Sequence, residues 1–107
     1  MTITRYVDVV NTEKYQLDVD ESFVHNLNEY ITQSCTGPFE AVTLDDVIAC
    51  WKRDDSFTRY EEVLDFSRNW HPTLGAVINW YIDDEIWNNY VETIDSEYGP
   101  HNDEVTE

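Results

Sequence analysis

The spacing of apolar residues changes character at Phe23. Before it, Ile3-Thr4-Arg5-Tyr6-Val7-Asp8-Val9 alternates at period two and is rich in β-branched side chains. Tyr15-Gln16-Leu17-Asp18-Val19 alternates again, after a turn signal at Asn11-Thr12-Glu13. Two alternating segments joined by a short turn predict an N-terminal β-hairpin. From Phe23 onward, Phe23, Leu27, Tyr30 and Ile31 share a helical face, behind a cap at Asp20 or Ser22. Gly37-Pro38 must end that helix.

The remainder reads mainly as helix. Thr43-Leu44-Asp45-Asp46 has the form of an N-terminal cap with acids in the first turn, and Leu44, Val47, Ile48 and Trp51 give an apolar side. A third helix is expected over Phe57–Asn69, with Phe57, Tyr60, Val63, Leu64, Phe66 and Trp70 on one half of the wheel and Glu61, Glu62 and Asp65 on the other. His71-Pro72 closes it. Leu74 to Ile82 is apolar apart from Asn79, and favours helix over a buried strand at 76–82. The stretch after it is amphipathic as a helix, with Ile86, Trp87, Tyr90, Val91, Ile94 and Tyr98 opposite Asp84, Glu85, Asn88, Asn89, Glu92 and Asp95. The two apolar faces do not line up on one wheel, so a break is expected near Asp83. The expectation is an α+β fold: an N-terminal β-hairpin followed by about four helices, with an extra strand at 76–82 as the alternative. One acidic domain is expected over 1–100, followed by an acidic flexible tail at 101–107.

Composition limits what such a fold can do. Fifteen aromatic residues and a 41% apolar fraction argue against a disordered acidic chain. Twenty-three acids face six bases, a net charge of −17. The imbalance is uneven: residues 70–107 hold nine acids and no Lys or Arg, the last base being Arg68. Such a chain repels nucleic acid and anionic membrane and attracts basic surfaces. The longest uncharged stretch, Asn69 to Ile82, is 14 residues, too short for a membrane-spanning helix. Met1-Thr2-Ile3-Thr4-Arg5 lacks the apolar run of a signal peptide. Cys35 and Cys50 show no ligand spacing and make no disulfide framework, so free thiols and a cytoplasmic setting are expected.

Motifs for chemistry are few. Asp18, Asp20, Ser22 and Glu29 fall at positions 1, 3, 5 and 12 of a calcium loop, but Phe23 stands where the sharp turn needs glycine and His25 where an aliphatic residue belongs. The better reading is a strand end followed by a capped helix. His25 and Glu29, at i and i+4, form half of a metal site with nothing to complete it, while His71 and His101 stand apart. No nucleophile elbow, phosphate loop or zinc-protease motif occurs, and the negative field should raise both thiol pKa values. An enzyme is therefore not expected, nor a cofactor or metal. Trp51, Trp70 and Trp87 fall on apolar helical faces and read as core, with Trp80 less settled.

The acidic faces remain. Like charges at i and i+4 destabilise a helix, and Glu61/Asp65 and the Asp84, Glu85, Glu92, Asp95 face have no Lys or Arg among them. Solubility or adaptation to high salt is one account. A surface of one sign, on the half of the chain that lacks bases, is better explained by a basic partner. Carboxylates one helical turn apart are separated by about 6 Å along the axis, near the spacing of successive phosphates. In size, acidity and aromatic content the chain resembles the small acidic DNA mimics, many of them phage or mobile-element inhibitors of restriction or CRISPR enzymes. The resemblance is of kind and quotes no shared motif. It implies a non-catalytic inhibitor that blocks the nucleic-acid-binding surface of a basic protein through Asp84, Glu85, Glu92 and Asp95, aided by Glu61, Glu62 and Asp65. The alternatives are an immunity protein or antitoxin against a basic nuclease, and an acidic adaptor subunit.

Overall fold

The computed structural model describes residues 1–8, 12–94 and 104–106, with four strands and three α-helices among them. The chain divides into two compact units, Met1–Val19 with Asp83–Glu107, and Asp20–Ile82.

In the first unit the alternating segments form β1 (Thr2–Asp8) and β2 (Thr12–Asp18), an antiparallel hairpin in which Ile3 faces Leu17 and Arg5 faces Tyr15. Ile3 and Leu17 are both buried, a cross-strand apolar pair. Leu17 and Val19 are buried while Asp18 between them is exposed, the period-two signature in space. The buried hydroxyl of Thr4 accepts from Gln16 Nε2 at 3.3 Å, so it is not left unsatisfied. Two further strands, β3 (Tyr90–Ile94) on β2 and β4 (Glu104–Thr106) on β1, complete an antiparallel sheet of order β3-β2-β1-β4. Val9 and the Asn11 turn lie outside the described residues, as does 95–103. Glu104–Thr106 fall in the segment read as a tail.

The second unit opens with α1 (Glu21–Ser34), whose N-cap is Asp20: its carboxylate accepts the Phe23 amide at 2.9 Å. The calcium-like spacing is thus a strand end and a capped helix. Phe23, Val24, Leu27 and Ile31 are the buried stripe, at the expected spacing. Asn28 both donates to the Val42 carbonyl and accepts the Val42 amide, each at 2.9 Å, which fixes the approach to α2 (Leu44–Lys52). That helix starts with a capping box, in which Thr43 and Asp46 each accept the other's backbone amide, and it buries Val47, Ile48 and Cys50. It stops at Arg53, in the left-handed conformation (φ 55°).

The helix expected over Phe57–Asn69 does not form. Residues 60–66 instead run antiparallel to 70–75, through Gly75 N to Tyr60 O (3.0 Å), Leu74 N to Glu62 O (2.7 Å), Leu64 N to Pro72 O (2.9 Å) and Phe66 N to Trp70 O (2.9 Å). A single 3-10 turn, Ser67–Asn69, closes this irregular arm, with Asn69 at φ 57°. Leu64 and Phe66 are buried while Val63, Asp65 and Ser67 are exposed, so the true period here is two.

The last helix, α3, covers Leu74–Ile86; Leu74–Ile82 belong to the second unit and Asp83–Ile86 to the first. Leu74, Val77, Ile78 and Ile82 are buried, and the helical reading of 74–82 holds over a buried strand. The helix runs unbroken through Asp83, where a break was expected, but its amphipathic continuation does not form: Tyr90–Ile94 is a strand, and 95–98 lie outside the described residues. The Asn88 and Asn89 side chains turn back to the carbonyls of Asp84 (3.1 Å) and Glu85 (2.7 Å), taking acceptors that another helical turn would have used. The Asn89 carbonyl then accepts the Gln16 amide at 3.1 Å, and the chain continues as β3. The described helices are therefore three, not about four. None is long and apolar enough to cross a membrane.

Candidate functional site

Every Asp and Glu with a described side chain is exposed or partly exposed; none is buried. Desolvating an unpaired carboxylate costs several kcal/mol, so a chain with 23 acids must stand them on its surface. Three bases are already engaged there. Arg5 pairs with Asp83, Lys14 lies 3.9 Å from Glu92, and Arg59 Nε binds Glu62 at 2.7 Å.

The seven carboxylates picked out from the sequence do not share one helical face. Asp84 and Glu85 are neighbours in the last turn of α3, and Glu92 is on β3. Glu61, Glu62 and Asp65 lie on the irregular arm of the other unit, and Asp95 lies outside the described residues. Nor do all of them stand alone: Glu92 has the cation of Lys14 and Glu62 that of Arg59, and Asp65 shares a hydrogen bond with His71 Nδ1 at 2.8 Å. Helical spacing missed these partners because none of the three pairs lies on a helix: Lys14 and Glu92 are on different strands, and the other two pairs are on irregular backbone. Glu61, Asp84 and Glu85 have no ion pair among the described residues. Asp83, Asp84 and Glu85 occupy the negative end of the α3 dipole, where acids are unfavourable and no base stands in the last turn.

The aromatic surface departs furthest from the sequence reading. Trp70 and Trp87, expected in the core, are each 47% exposed, and Trp80 is 50% exposed. The reason is the lost helices: Trp70 stands at the turn of a β-like arm and Trp87 follows the end of α3. In the second unit the rings make a continuous stack. Phe23 meets Tyr81 (5.4 Å between centroids), Tyr81 meets Tyr30 (5.7 Å), and Tyr30 meets both Phe66 and Trp80 (6.2 Å each). Phe66 meets Trp70 at 5.1 Å, and Trp70 meets Trp80 at 5.9 Å with their planes at 90°. The stack is rooted on buried Phe23 and Phe66 and ends in two half-exposed indoles. In the first unit Trp87 and Tyr90 pack edge-on against Tyr15, at 4.8 and 5.8 Å, and the Arg5 guanidinium lies 5.4 Å from the Trp87 centroid.

Other chemistry is sparse. An open pocket of about 540 Å³ is lined by Ala49, Cys50, Arg53, Asp54, Asp55, Phe57 and Tyr60. Its cysteine is almost wholly buried and its thiol lies 3.6 Å from the Gly75 carbonyl. Burial pushes that thiol up to about 11, so it stays protonated at neutral pH. The cause is desolvation, where the sequence pointed to the surrounding charge. Cys35, partly exposed, and Cys50 are both free. Among the described residues no group of three His, Cys, Asp or Glu could hold a metal ion. No protein-family model matches the chain, and no curated protein or solved structure shows significant similarity to it.

Proposed function

We propose that the protein is a stoichiometric, non-catalytic inhibitor: an acidic nucleic-acid mimic that occupies the basic nucleic-acid-binding surface of a partner protein inside the cell, in the manner of phage or mobile-element antirestriction and anti-CRISPR proteins. The observation that carries this reading is the outward display of carboxylates, with three of the six bases already tied to them. A surface of this sign steers a basic partner in and repels competing polyanions. The placing of Asp84 and Glu85, which have no ion pair among the described residues, at the wrong end of a helix dipole also supports it, because it costs stability that a merely solvated surface has no reason to give up. Half-exposed tryptophans within that acidic frame supply the short-range contact that charge alone lacks.

The test is capture from a lysate of the native host on immobilised protein, followed by challenge with duplex DNA and RNA oligonucleotides. A retained basic nucleic-acid-binding protein that the oligonucleotides release supports mimicry. Retention that no oligonucleotide disturbs refutes mimicry, and leaves the immunity-protein or adaptor role.

A further inference from the structure

The Trp70–Trp80 corner has the form of a recognition site for one kind of side chain. Two indoles meet at 90°, each about half exposed, so each offers a ring face or edge to solvent. They are held from behind by Tyr30 and Phe66, and Trp70 is fixed through its backbone by the Phe66 amide. Ordering them on binding therefore costs little. Asp65, one residue before Phe66, binds the imidazole of His71, one residue after Trp70, and remains 64% exposed. The unit that carries this corner holds eleven acids and four Lys or Arg between Asp20 and Ile82.

We infer that this corner is the seat of an arginine side chain of the partner. The inference rests on the reading of the protein as a binder of basic surfaces and names its short-range contact. Charge disfavours two other occupants of exposed indoles: a nucleobase brings phosphates, and a second copy of this chain brings another −17. A guanidinium is planar, weakly hydrated and cationic, and stacks on an indole face within about 6 Å of its centroid. Among the described residues the chain itself sets guanidinium groups against aromatic rings, with Arg5 at 5.4 Å from the Trp87 centroid and Arg59 at 5.6 Å from that of Phe39. Among the described side chains no cation lies over Trp70 or Trp80. Lysine, a compact and strongly hydrated charge, gains less from the same corner.

The probes are oligo-arginine and oligo-lysine peptides of equal length, titrated at about 150 mM salt, where long-range attraction is screened. Wild-type protein should prefer oligo-arginine, and its Trp70 and Trp80 indole N–H resonances should shift while that of Trp51 stays in place. Trp70→Ala and Trp80→Gln should each weaken oligo-arginine binding by about three- to tenfold and leave oligo-lysine binding unchanged. Equal binding of the two peptides, or a preference that survives both substitutions, overturns the inference. Should Trp70→Ala fail to fold by circular dichroism, Trp80→Gln on the exposed side of α3 and the wild-type resonances decide the matter. The charge variant Glu61→Lys/Asp84→Lys/Glu85→Lys separates this inference from the broader reading. If it binds both peptides as wild type does while the arginine preference persists, the corner stands and the acidic-surface reading falls. If it loses both while the tryptophan variants lose nothing, the reverse holds.

Discussion

The Asn89 side chain donates to the Glu85 carbonyl at 2.7 Å, and with it α3 ends. Past this terminus the amphipathic pattern continues as the edge strand β3. The terminus also leaves Asp84 and Glu85 at the negative end of a helix with no base in its last turn. Asp84→Lys and Glu85→Lys should therefore each stabilise the protein by about 0.3–1 kcal/mol at low ionic strength. Thermal unfolding at two salt concentrations checks this; the gain should shrink as salt rises.

Removing the stop should act the other way. Asn88→Ala with Asn89→Ala leaves the Asp84 and Glu85 carbonyls without their side-chain donors, at a cost of about 0.5–1.5 kcal/mol for each bond. Urea unfolding gives the value. A rise in helical signal by circular dichroism would show α3 running on into β3.

Gly75 lies under the ring of Tyr60, and a β-carbon there would overlap the ring itself. Its amide also binds the Tyr60 carbonyl, so the two backbones cannot separate freely. Gly75→Ala should destabilise by about 1–3 kcal/mol, against the usual gain from alanine in a helix. The double variant Gly75→Ala/Tyr60→Ala should recover part of that loss, since the clash is with the side chain.

These three sites show what could be read from the chain and what could not. The hairpin, α1 with a cap at Asp20 or Ser22, the N-terminal cap at Thr43 and the helical 74–82 were legible because local pattern and tertiary burial agree there. The two misread segments are those where an apolar helical wheel can be drawn through residues that form extended backbone. Leu64-Asp65-Phe66 buries its ends at period two, and Tyr90-Val91-Glu92-Thr93-Ile94 is β-branched and aromatic after an Asn-Asn stop. Both signals were present, the second as a turn pair treated as two polar helix positions. The acidity of the surface was plain from composition. The cations beside Glu62 and Glu92, the ring stack and the exposed Trp70–Trp80 corner depend on which backbone conformation wins, and no spacing rule supplies that.

The two thiols should behave differently. Cys35 is partly exposed and Cys50 is buried with its thiol held up to about 11. A thiol reagent at pH 8 should label one cysteine quickly and the second only with unfolding. The raised thiol also sets a pH dependence. The unfolded chain releases this proton near the ordinary value of 9.0 while the folded chain retains it. Stability from this site is thus complete below about pH 9 and is lost progressively as pH rises toward 11. Cys50→Ala should lower stability at neutral pH yet flatten that alkaline decline; an unchanged slope would assign the decline to other groups.

The remaining prediction separates a functional acidic surface from a solvated one. Glu62 and Glu92 already have Arg59 and Lys14 beside them, so reversing their charge would place like charges in contact, and changing Asp65 would remove its hydrogen bond to His71; both would confuse binding with stability. Glu61, Asp84 and Glu85 have no such partner among the described residues, and reversing them disturbs neither an ion pair nor the core. Glu61→Lys/Asp84→Lys/Glu85→Lys should melt at or above the wild-type temperature, because repulsion and the dipole penalty are both relieved. Its association rate with a basic partner should nevertheless fall by about tenfold or more near physiological salt, with a smaller change in dissociation, since steering charges act on encounter. Stopped-flow association over a range of salt concentrations measures this, and the wild-type rate should fall more steeply with salt than that of the variant. A surface kept only for solubility would give the stability gain without the loss of rate. A variant that is more stable and associates as fast as wild type therefore ends the proposal that these carboxylates face a partner, whatever the tryptophans do.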